Sequence, residues 1–345
     1  MLSSTELEVL DTPDDRRVDR FVVEAQRAWE AGNSVKAIDG YCQALRLVNR
    51  YPPAKRELDK FAKSFFADAI SARDAGDTEG AIVLLVRSRE LNPDSGEVRD
   101  ELKRLLASLT PGRDLTTECL AMPDAARASA IYREAIQTCM EFVAYGGISG
   151  EIFEFGVLGG WTARIFAETM VDLHYPAELY LFDSFTGLPR DKHALDQASY
   201  DVSRGVWDEE MDVSRLGEQI GEKVPKHIGR SLSRVISAER IKIKPGYFSE
   251  TLQQPLKRKA ALVHLDCDLY SSTKEVLDGL DEMQALQDGT VLMFDDWNCH
   301  RANPAFGQRR ALTEFLEPRS DRYSISSFLR YGFNSAAFIL HEKSP

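Results

Sequence analysis

The sequence lacks the cysteine pattern of a disulfide scaffold or of a zinc site. Its five cysteines are scattered over 345 residues, odd in number and never spaced as CxxC. Free thiols in a reducing compartment explain this distribution better than paired ones. The chain also starts without the basic and apolar regions of a secretory signal. We therefore expect a cytoplasmic protein.

Long apolar runs and an excess of positive charge are missing as well. No run reaches the roughly 20 apolar residues that a membrane-spanning helix needs, so no membrane span is expected. Acidic residues outnumber basic ones by 55 to 43, which gives a formal net charge of −12. Because such a surface repels phosphate backbones, nucleic acid is not an expected partner. Apolar residues at 43% and charged residues at 28% are ordinary values for a folded globular chain.

Two segments of the N-terminal part are similar to each other. Residues 28–48 (AWEAGNSVKAIDGYCQALRLV) match residues 72–92 (ARDAGDTEGAIVLLVRSRELN), with Gly32 aligned to Gly76. Each segment is typical of a helix, a short turn and a second helix. The pair resembles the tetratricopeptide repeat (TPR), although its period is longer and stable stacks of that repeat usually have three or more units. We favour helices that pack or self-associate into a homo-oligomer; the alternative is a groove for a protein partner.

Changes in sequence pattern divide the chain into four parts. Helical periodicity dominates before residue 150, and short apolar strands alternate with helices after it. A stretch with two prolines and a glycine indicates a linker. The predicted parts are a flexible N-terminus (1–19), a TPR-like helical region (20–108), a linker (109–124) and a second domain (125–345).

The second domain has the pattern of a doubly wound α/β fold. Apolar strands are predicted in EIFEFGV, ELYLFD, IKIKPG, ALVHLD and TVLMFD. Near-continuous apolar strands that alternate with helices are typical of a parallel sheet covered on both faces. Two final strands are expected to form an antiparallel hairpin at the sheet edge. The stretch 186–235 has no clear period, and its segment 199–214 is a lid candidate.

A glycine-rich turn follows the first of these strands. The residues that a cofactor would meet there are Glu154, Gly156, Gly159, Gly160 and Thr162. Glycines at a strand-to-helix turn let a ligand approach the backbone, although close helix packing would explain them nearly as well. Asp183 ends the next strand, at a position where a carboxylate can bind ribose hydroxyls. Because the turn is not GxGxxG, a nucleoside cofactor without a pyrophosphate is favoured over a nicotinamide dinucleotide.

Aspartates cluster at the ends of two later strands. Asp266 and Asp268 close one apolar strand, and Asp295 and Asp296 close the next. Neighbouring ends of parallel strands meet at one edge of a sheet, where these carboxylates would repel one another. A hard divalent cation such as Mg²⁺ would relieve that repulsion. The alternative is that Asp268 caps a helix and Asp296 caps a turn without any ion. We favour the metal because two adjacent strand ends are acidic.

These motifs resemble those of the macrocin O-methyltransferase family. The matching segments, in chain order, are EFGVLGGWT, LFDSFTGLP, KPGYFSETL, LDCDLYSST, FDDW and GQRRALTEFL. The resemblance covers about residues 125–345 and implies a Rossmann-like class I methyltransferase domain. It also implies an enzyme that uses S-adenosyl-L-methionine and Mg²⁺ to methylate sugar hydroxyls on macrolides and aminocoumarins. We expect the acceptor to be a hydroxyl of a sugar or a vicinal diol, on a small-molecule natural product or a glycan.

The expected roles of individual residues follow from this resemblance and from their positions. The expected cofactor-binding set is Glu154, Gly156, Gly159, Gly160, Thr162, Asp183, Ser184 and Phe185. Asp266, Asp295 and Asp296 are the expected Mg²⁺ ligands. Asp266 is also the expected general base, since a base must reach the hydroxyl proton. His300, which follows the second acidic strand end, is a candidate auxiliary base.

Two other functions fit the sequence. One is a metal-dependent methyltransferase that acts on a catechol or on a nitrogen of a nonsugar metabolite. The other is a scaffold whose helical repeats bind a partner while a degenerate methyltransferase domain only binds a nucleoside. Cofactor binding without metal dependence would favour the scaffold or a metal-free enzyme.

Overall fold

The chain divides into two compact units. The first comprises Met1–Leu109 and Val171–Pro176, and the second comprises Thr110–Met170 and Ala177–Pro345. The structure is a computed structural model, and it describes residues 13–47, 51–108, 123–189, 193–197, 223–253 and 258–343.

Five helices are described in the first unit. Their bounds are Pro13–Glu30 (α1), Ser34–Leu47 (α2), Pro52–Asp74 (α3), Thr78–Leu91 (α4) and Gly96–Ser108 (α5). α1 packs with α2 and α3 with α4, each across a turn that contains a glycine at positive φ, +76° at Gly32 and +84° at Gly76. Other residues adopt this backbone conformation at a cost. After each turn the next residue, Asn33 or Asp77, accepts a backbone N–H from three residues later and so caps the next helix.

Both repeat segments therefore fold as helical hairpins, as their sequence predicts. The predicted end of the flexible N-terminus at residue 19 falls inside α1, which begins at Pro13. The reason is that Val18 and Val22, one helical turn apart, are both buried in an apolar cluster with Tyr41. That these hairpins are tetratricopeptide repeats, that they bind a protein partner and that the protein is a homo-oligomer remain predictions.

The second unit is built on a seven-stranded sheet. Its strands are Glu151–Phe155 (β1), Leu179–Asp183 (β2), Ile241–Pro245 (β3), Ala260–Leu265 (β4), Val291–Phe294 (β5), Tyr323–Tyr331 (β6) and Ser335–Glu342 (β7). The helices described from residue 123 onward are Pro123–Tyr145 (α6), Trp161–Asp172 (α7), Ala194–Gln197 (α8), Val224–Leu232 (α9), Phe248–Thr251 (α10), Tyr270–Glu282 (α11) and Gly307–Leu316 (α12). Single turns of 3₁₀ helix occur at Ala238–Arg240, His300–Ala302 and Glu317–Arg319.

The strand order is β3-β2-β1-β4-β5-β7-β6, and the first five strands are parallel. β7 pairs antiparallel with β5 and with β6, so the C-terminal hairpin lies at the sheet edge as predicted. β1, β4 and β5 are buried along their whole length, which explains their apolar sequences. The order reverses between β1 and β4, and open α/β sheets bind ligands where strands end at such a point. The expected Rossmann-like, doubly wound and mostly parallel fold is confirmed.

Some predictions concern residues that the structure does not describe. All but the last two residues of the predicted linker (109–124) lie outside the described residues, and Pro123 already belongs to α6. The lid candidate (199–214) lies wholly outside them. None of the described helices combines the length and the apolarity that crossing a lipid bilayer requires.

Candidate active site

The turn between β1 and α7 lies at the carboxyl edge of the sheet, where the parallel strands end. Gly156 directly follows β1 and has a φ of +87°. A Cβ atom at this position would lie 1.6 Å from the backbone oxygen of Asp266, so only glycine fits here between the ends of β1 and β4. Gly159 and Gly160 continue the turn, and α7 begins at Trp161. The predicted cofactor turn therefore lies directly beside the Asp266 strand end.

Glu154 is a buried carboxylate within β1. Thr162 Oγ1 donates a hydrogen bond to Glu154 Oε1, and His264 Nδ1 lies 3.5 Å from the same oxygen. The other oxygen, Oε2, is buried and has no hydrogen-bond partner among the described residues. Burying a carboxylate oxygen without a donor is costly. This atom is therefore available to a donor group of a bound molecule.

Asp183 ends β2, as predicted, and both of its carboxylate oxygens accept backbone hydrogen bonds. Oδ2 accepts the N–H groups of Val157 at 2.7 Å and Leu158 at 2.9 Å, and Oδ1 accepts that of Phe185 at 2.7 Å. Ser184 Oγ donates to a backbone carbonyl three residues later at 2.7 Å. These bonds fix the cofactor turn from the side of β2. Because an ionised carboxylate has about four acceptor positions, Asp183 retains capacity for a further donor such as a ribose hydroxyl.

The predicted carboxylates meet at the ends of β4 and β5. The N–H of Asp295 donates to the carbonyl of Leu265 at 3.0 Å, which holds the two strand ends side by side. Burial raises the pKa of Asp266 well above its ordinary value, and repulsion from neighbouring aspartates raises it further. Burial and then repulsion from Asp268 and Asp295 likewise raise the pKa of Asp296. Burial is thus the larger cause of both raised pKa values, and the charges of the neighbouring aspartates add to it.

Hydrogen bonds hold two of these carboxylates in place. Tyr132 of α6 donates to Asp295 Oδ1, and Ser335 Oγ donates to the same oxygen at 3.2 Å. Asp296 Oδ2 accepts the backbone N–H of Asp268 at 3.2 Å. In this arrangement, no group of three or more His, Cys, Asp or Glu side chains within the described part of the chain is placed to hold a metal ion. A cation bound here would have to replace some of these donors.

Two side chains at this site cannot be assigned a role from the sequence patterns. Tyr132 lies before the first strand and in no recognisable motif, and its ring packs against those of Trp161 and Tyr331 with centroids 5.0 and 5.5 Å apart. Burial and the charge of Asp295 raise the pKa of Tyr132, so its hydroxyl remains a donor. Gln308 does lie in a conspicuous segment, GQRRALTEFL. Its contacts, however, depend on where α12 packs.

His300 lies in the loop that follows Asp296. It has a φ of +58°, and the two residues after it also have positive φ. An added Cβ at Gly307 would come within 2.8 Å of the His300 ring, so the two residues are in close contact. Cys299 Sγ donates to Asp296 Oδ1 at 3.5 Å, which connects the loop to the acidic strand end. Strained backbone of this kind is concentrated at functional sites. The role of His300 as an auxiliary base remains a prediction.

The sequence of this domain matches a known enzyme family. The family model of macrocin O-methyltransferase (TylF) matches residues 108–321. The chain belongs to this family. It is an S-adenosylmethionine-dependent O-methyltransferase, as predicted. Helices α1 to α4 lie upstream of the matched residues.

Individual relatives are similar to part of the chain. The chain is 28% identical over 209 residues to the 8-demethyl-8-(2,3-dimethoxy-alpha-L-rhamnosyl)-tetracenomycin-C 4'-O-methyltransferase of Streptomyces olivaceus, covering 58% of this chain and 73% of the relative. It is 24% identical over 191 residues to the mycinamicin III 3''-O-methyltransferase of Micromonospora griseorubida, covering 52% and 68%. Among solved structures, the O-methyltransferase NovP has a TM-score of 0.46 and 19% identity, covering 62% of this chain and 80% of that one. The calicheamicin methyltransferase CalS11 has a TM-score of 0.46 and 21% identity, covering 71% and 93%.

Proposed function

We propose that this enzyme methylates a hydroxyl of a sugar residue, on a small-molecule glycoside or a glycan, and that it requires a divalent cation such as Mg²⁺. The observation that carries the proposal is the contact between the cofactor turn at Gly156 and the backbone of Asp266. Methyl transfer to a weakly acidic hydroxyl needs a base positioned close to the methyl donor. The relative from Streptomyces olivaceus is named for a rhamnosyl tetracenomycin, which supports a sugar-bearing acceptor.

The residues around the glycine turn fit S-adenosyl-L-methionine. Glu154 Oε2 is a buried acceptor without a donor in the described structure, and it suits the ammonium group of the cofactor. Asp183 has remaining acceptor positions for the ribose hydroxyls. Ser184 and Phe185 line the turn that follows Asp183 and would hold the adenosine part of the cofactor. The cofactor supplies the methyl group as a sulfonium.

The acidic strand ends carry the type of ligand that a hard divalent cation prefers, and the cation would replace donors that now bind Asp295 and Asp296. Asp266, Asp295 and Asp296 offer carboxylate oxygens, which are the ligands that Mg²⁺ prefers. Burial, and then repulsion among neighbouring aspartates, raises the pKa values of Asp266 and Asp296, and a cation would relieve the repulsion. A cation held there supplies a positive charge that lowers the pKa of an acceptor hydroxyl. Tyr132 and Ser335 orient Asp295 from the protein side.

Asp266 is the proposed general base. The cofactor turn at Gly156 contacts the backbone of Asp266, so this carboxylate would lie close to the methyl donor. When the cofactor supplies its methyl group to the acceptor oxygen, Asp266 would accept the proton of that hydroxyl. His300 is proposed as an auxiliary base, because its loop is connected to Asp296 through Cys299.

Calorimetry and a methyl-transfer assay test the proposal. The full chain is freed of metal with a chelator and titrated with S-adenosylmethionine, with and without Mg²⁺. It is then incubated with the cofactor and either methyl or 4-nitrophenyl α-L-rhamnopyranoside, and methylated product is detected by mass spectrometry. We expect turnover that requires Mg²⁺ and stops in excess chelator. Full activity in chelator would contradict the metal requirement, and cofactor binding without methylation of either glycoside would contradict a rhamnosyl acceptor.

A further inference from the structure

Gln308 connects the two acidic strand ends through both polar atoms of its side-chain amide. It is the second residue of α12 and only 1% exposed. Its Nε2 donates to the carbonyl of Leu265 at 3.0 Å, and its Oε1 accepts the backbone N–H of Asp296 at 2.9 Å. Leu265 is the residue immediately before Asp266. The amide therefore binds the backbone at both strand ends where the proposed ligands lie.

The same amide continues the β4–β5 hydrogen-bond ladder past its last regular pair. Leu265 pairs with Phe294 at the end of the ladder, and its carbonyl also accepts the N–H of Asp295. The N–H of the next residue, Asp296, is accepted by Gln308. A primary amide offers donors and an acceptor much as a peptide group does. The side-chain amide of Gln308 thus makes the hydrogen bonds that a peptide group of a neighbouring strand would make if the ladder continued.

We propose that Gln308 is a positioning residue that sets the affinity of the acidic strand ends for a divalent cation. It acts through the backbone, because its amide fixes the Leu265 carbonyl and the Asp296 N–H. The orientation of this backbone in turn sets the directions in which the side chains of Asp266 and Asp296 point. Groups that orient metal ligands in this way typically change metal affinity by about 10–100-fold. The inference rests on the proposed function, since it concerns the same acidic strand ends.

The chemistry of the position explains why the residue is glutamine and not glutamate. A carboxylate at position 308 would face the Leu265 carbonyl without a proton to donate. It would also add a negative charge next to aspartates that already repel one another. A neutral amide satisfies both backbone groups without either cost.

Gln287 is a matched control at the amino edge of the sheet, where the parallel strands begin. Its Nε2 donates to the carbonyls of Ser149 at 2.7 Å and Ala260 at 3.0 Å. Ser149 lies just before β1, and Ala260 is the first residue of β4. Gln287 therefore also joins backbone groups of two strands through its amide, but at the edge opposite to the aspartates.

The test compares Gln308→Met with Gln287→Met in the full chain freed of metal. Methionine has a similar length but lacks the amide. Calorimetry measures the affinity for Mn²⁺ and for S-adenosylmethionine, and a thermal scan measures the melting temperature. We expect Gln308→Met to weaken Mn²⁺ binding about 10-fold or more and to leave cofactor affinity unchanged. Gln287→Met is expected to lower the melting temperature without changing Mn²⁺ affinity.

The possible outcomes separate this inference from the proposed function. A folded Gln308→Met protein with wild-type Mn²⁺ affinity would overturn the inference alone. A wild-type protein that binds no Mn²⁺ in the presence of the cofactor would overturn the proposed metal requirement, and the inference with it. If Gln308→Met does not fold, Gln308→Asn replaces it, because the shorter amide cannot reach both backbone groups. The same loss of Mn²⁺ affinity is then expected, and wild-type affinity would again overturn the inference.

Discussion

The two edges of the sheet use carboxylates in opposite ways. At the amino edge, the buried Glu151 forms an ion pair with Arg258 at 3.2 Å, and Lys242 Nζ lies 3.3 Å from a carboxylate oxygen of Glu178. At the carboxyl edge, the carboxylate of Asp266 lies among other aspartates, and their repulsion adds to burial in raising its pKa. Acidic side chains therefore lie next to basic ones at the amino edge and next to other acidic ones at the carboxyl edge.

This difference separates a structural use of charge from a functional one. Opposite charges at the amino edge stabilise the fold, as hydrogen bonds to charged groups usually do. Repelling carboxylates at the carboxyl edge cost stability in the protein without ligands, and groups with strongly shifted pKa values are concentrated at functional sites. Since both edges contain acidic residues, it is the environment of each carboxylate that distinguishes the active site.

The largest effect is expected from Asp266→Asn, which removes the proposed base at the carboxyl edge. Turnover should fall by about 10²–10⁴-fold, because a general base contributes about that factor. Cofactor affinity should stay nearly unchanged, because the contacts of Glu154 and Asp183 are kept. The rate of methyl transfer at saturating cofactor and calorimetric titration with S-adenosylmethionine measure the two quantities.

Asp268→Asn is the matched control for this variant. It changes the other aspartate of the same LDCD segment, which has no assigned role as base or ligand, and asparagine tolerates the φ of +55° at that position. Its turnover should stay within about tenfold of the wild type, well short of the loss expected for a general base. Undiminished turnover in Asp266→Asn, or equal losses in the two variants, would refute the role of Asp266.

A smaller effect is expected in the pH dependence of stability. The pKa values of Asp266 and Asp296 in the folded protein lie above their ordinary value of 3.8, so the folded state binds these protons more tightly than the unfolded state does. The free energy of unfolding of the metal-free protein should therefore fall as the pH rises from about 3.8 through the folded pKa values. Each unit of pKa difference corresponds to about 1.4 kcal/mol.

Urea unfolding in chelator between about pH 4 and pH 8 measures this dependence. The double variant Asp266→Asn/Asp296→Asn isolates the two groups, and its free energy of unfolding should fall less steeply with pH. Added Mg²⁺ should restore stability to the wild type and have little effect on the double variant. Equal slopes in the two proteins would show that the pKa values of these carboxylates are not raised in the folded state.

The sheet and the place of its acidic residues could be predicted because both depend on local patterns. Buried parallel strands have apolar sequences, and parallel strands that pair end at one edge. That rule alone predicts that Asp266 lies near Asp295 and Asp296. The predicted boundary at residue 19 misses the start of α1, because the burial of Val18 and Val22 in the helical unit stabilises helix on both sides of it.

The hydrogen-bond partners of the candidate site residues could not be predicted from the sequence, because these contacts depend on tertiary packing. Tyr132 reaches Asp295 from a helix that precedes the whole sheet. Asp183, expected to bind ribose, also accepts the N–H groups of the neighbouring turn. That contact needs positive φ at Leu158 and Phe185, which are not glycines and give no sign of it in the sequence.

The smallest effect is expected from Glu151→Gln at the amino edge. The variant loses the charge that pairs with Arg258, and the oxygen of its amide can still accept the backbone N–H of Glu178, as the carboxylate does. Because part of the interaction remains, we expect a loss of about 1–2 kcal/mol in the free energy of unfolding, measured in urea.

Turnover and its dependence on Mg²⁺ should not change, since Glu151 begins the strand whose other end leads to Gly156. Its effect on stability should also add to that of Asp266→Asn, as expected for distant sites. A loss of turnover comparable to that of Asp266→Asn would mean that the two edges are not functionally distinct, because a charge at the amino edge would then be acting on the chemistry.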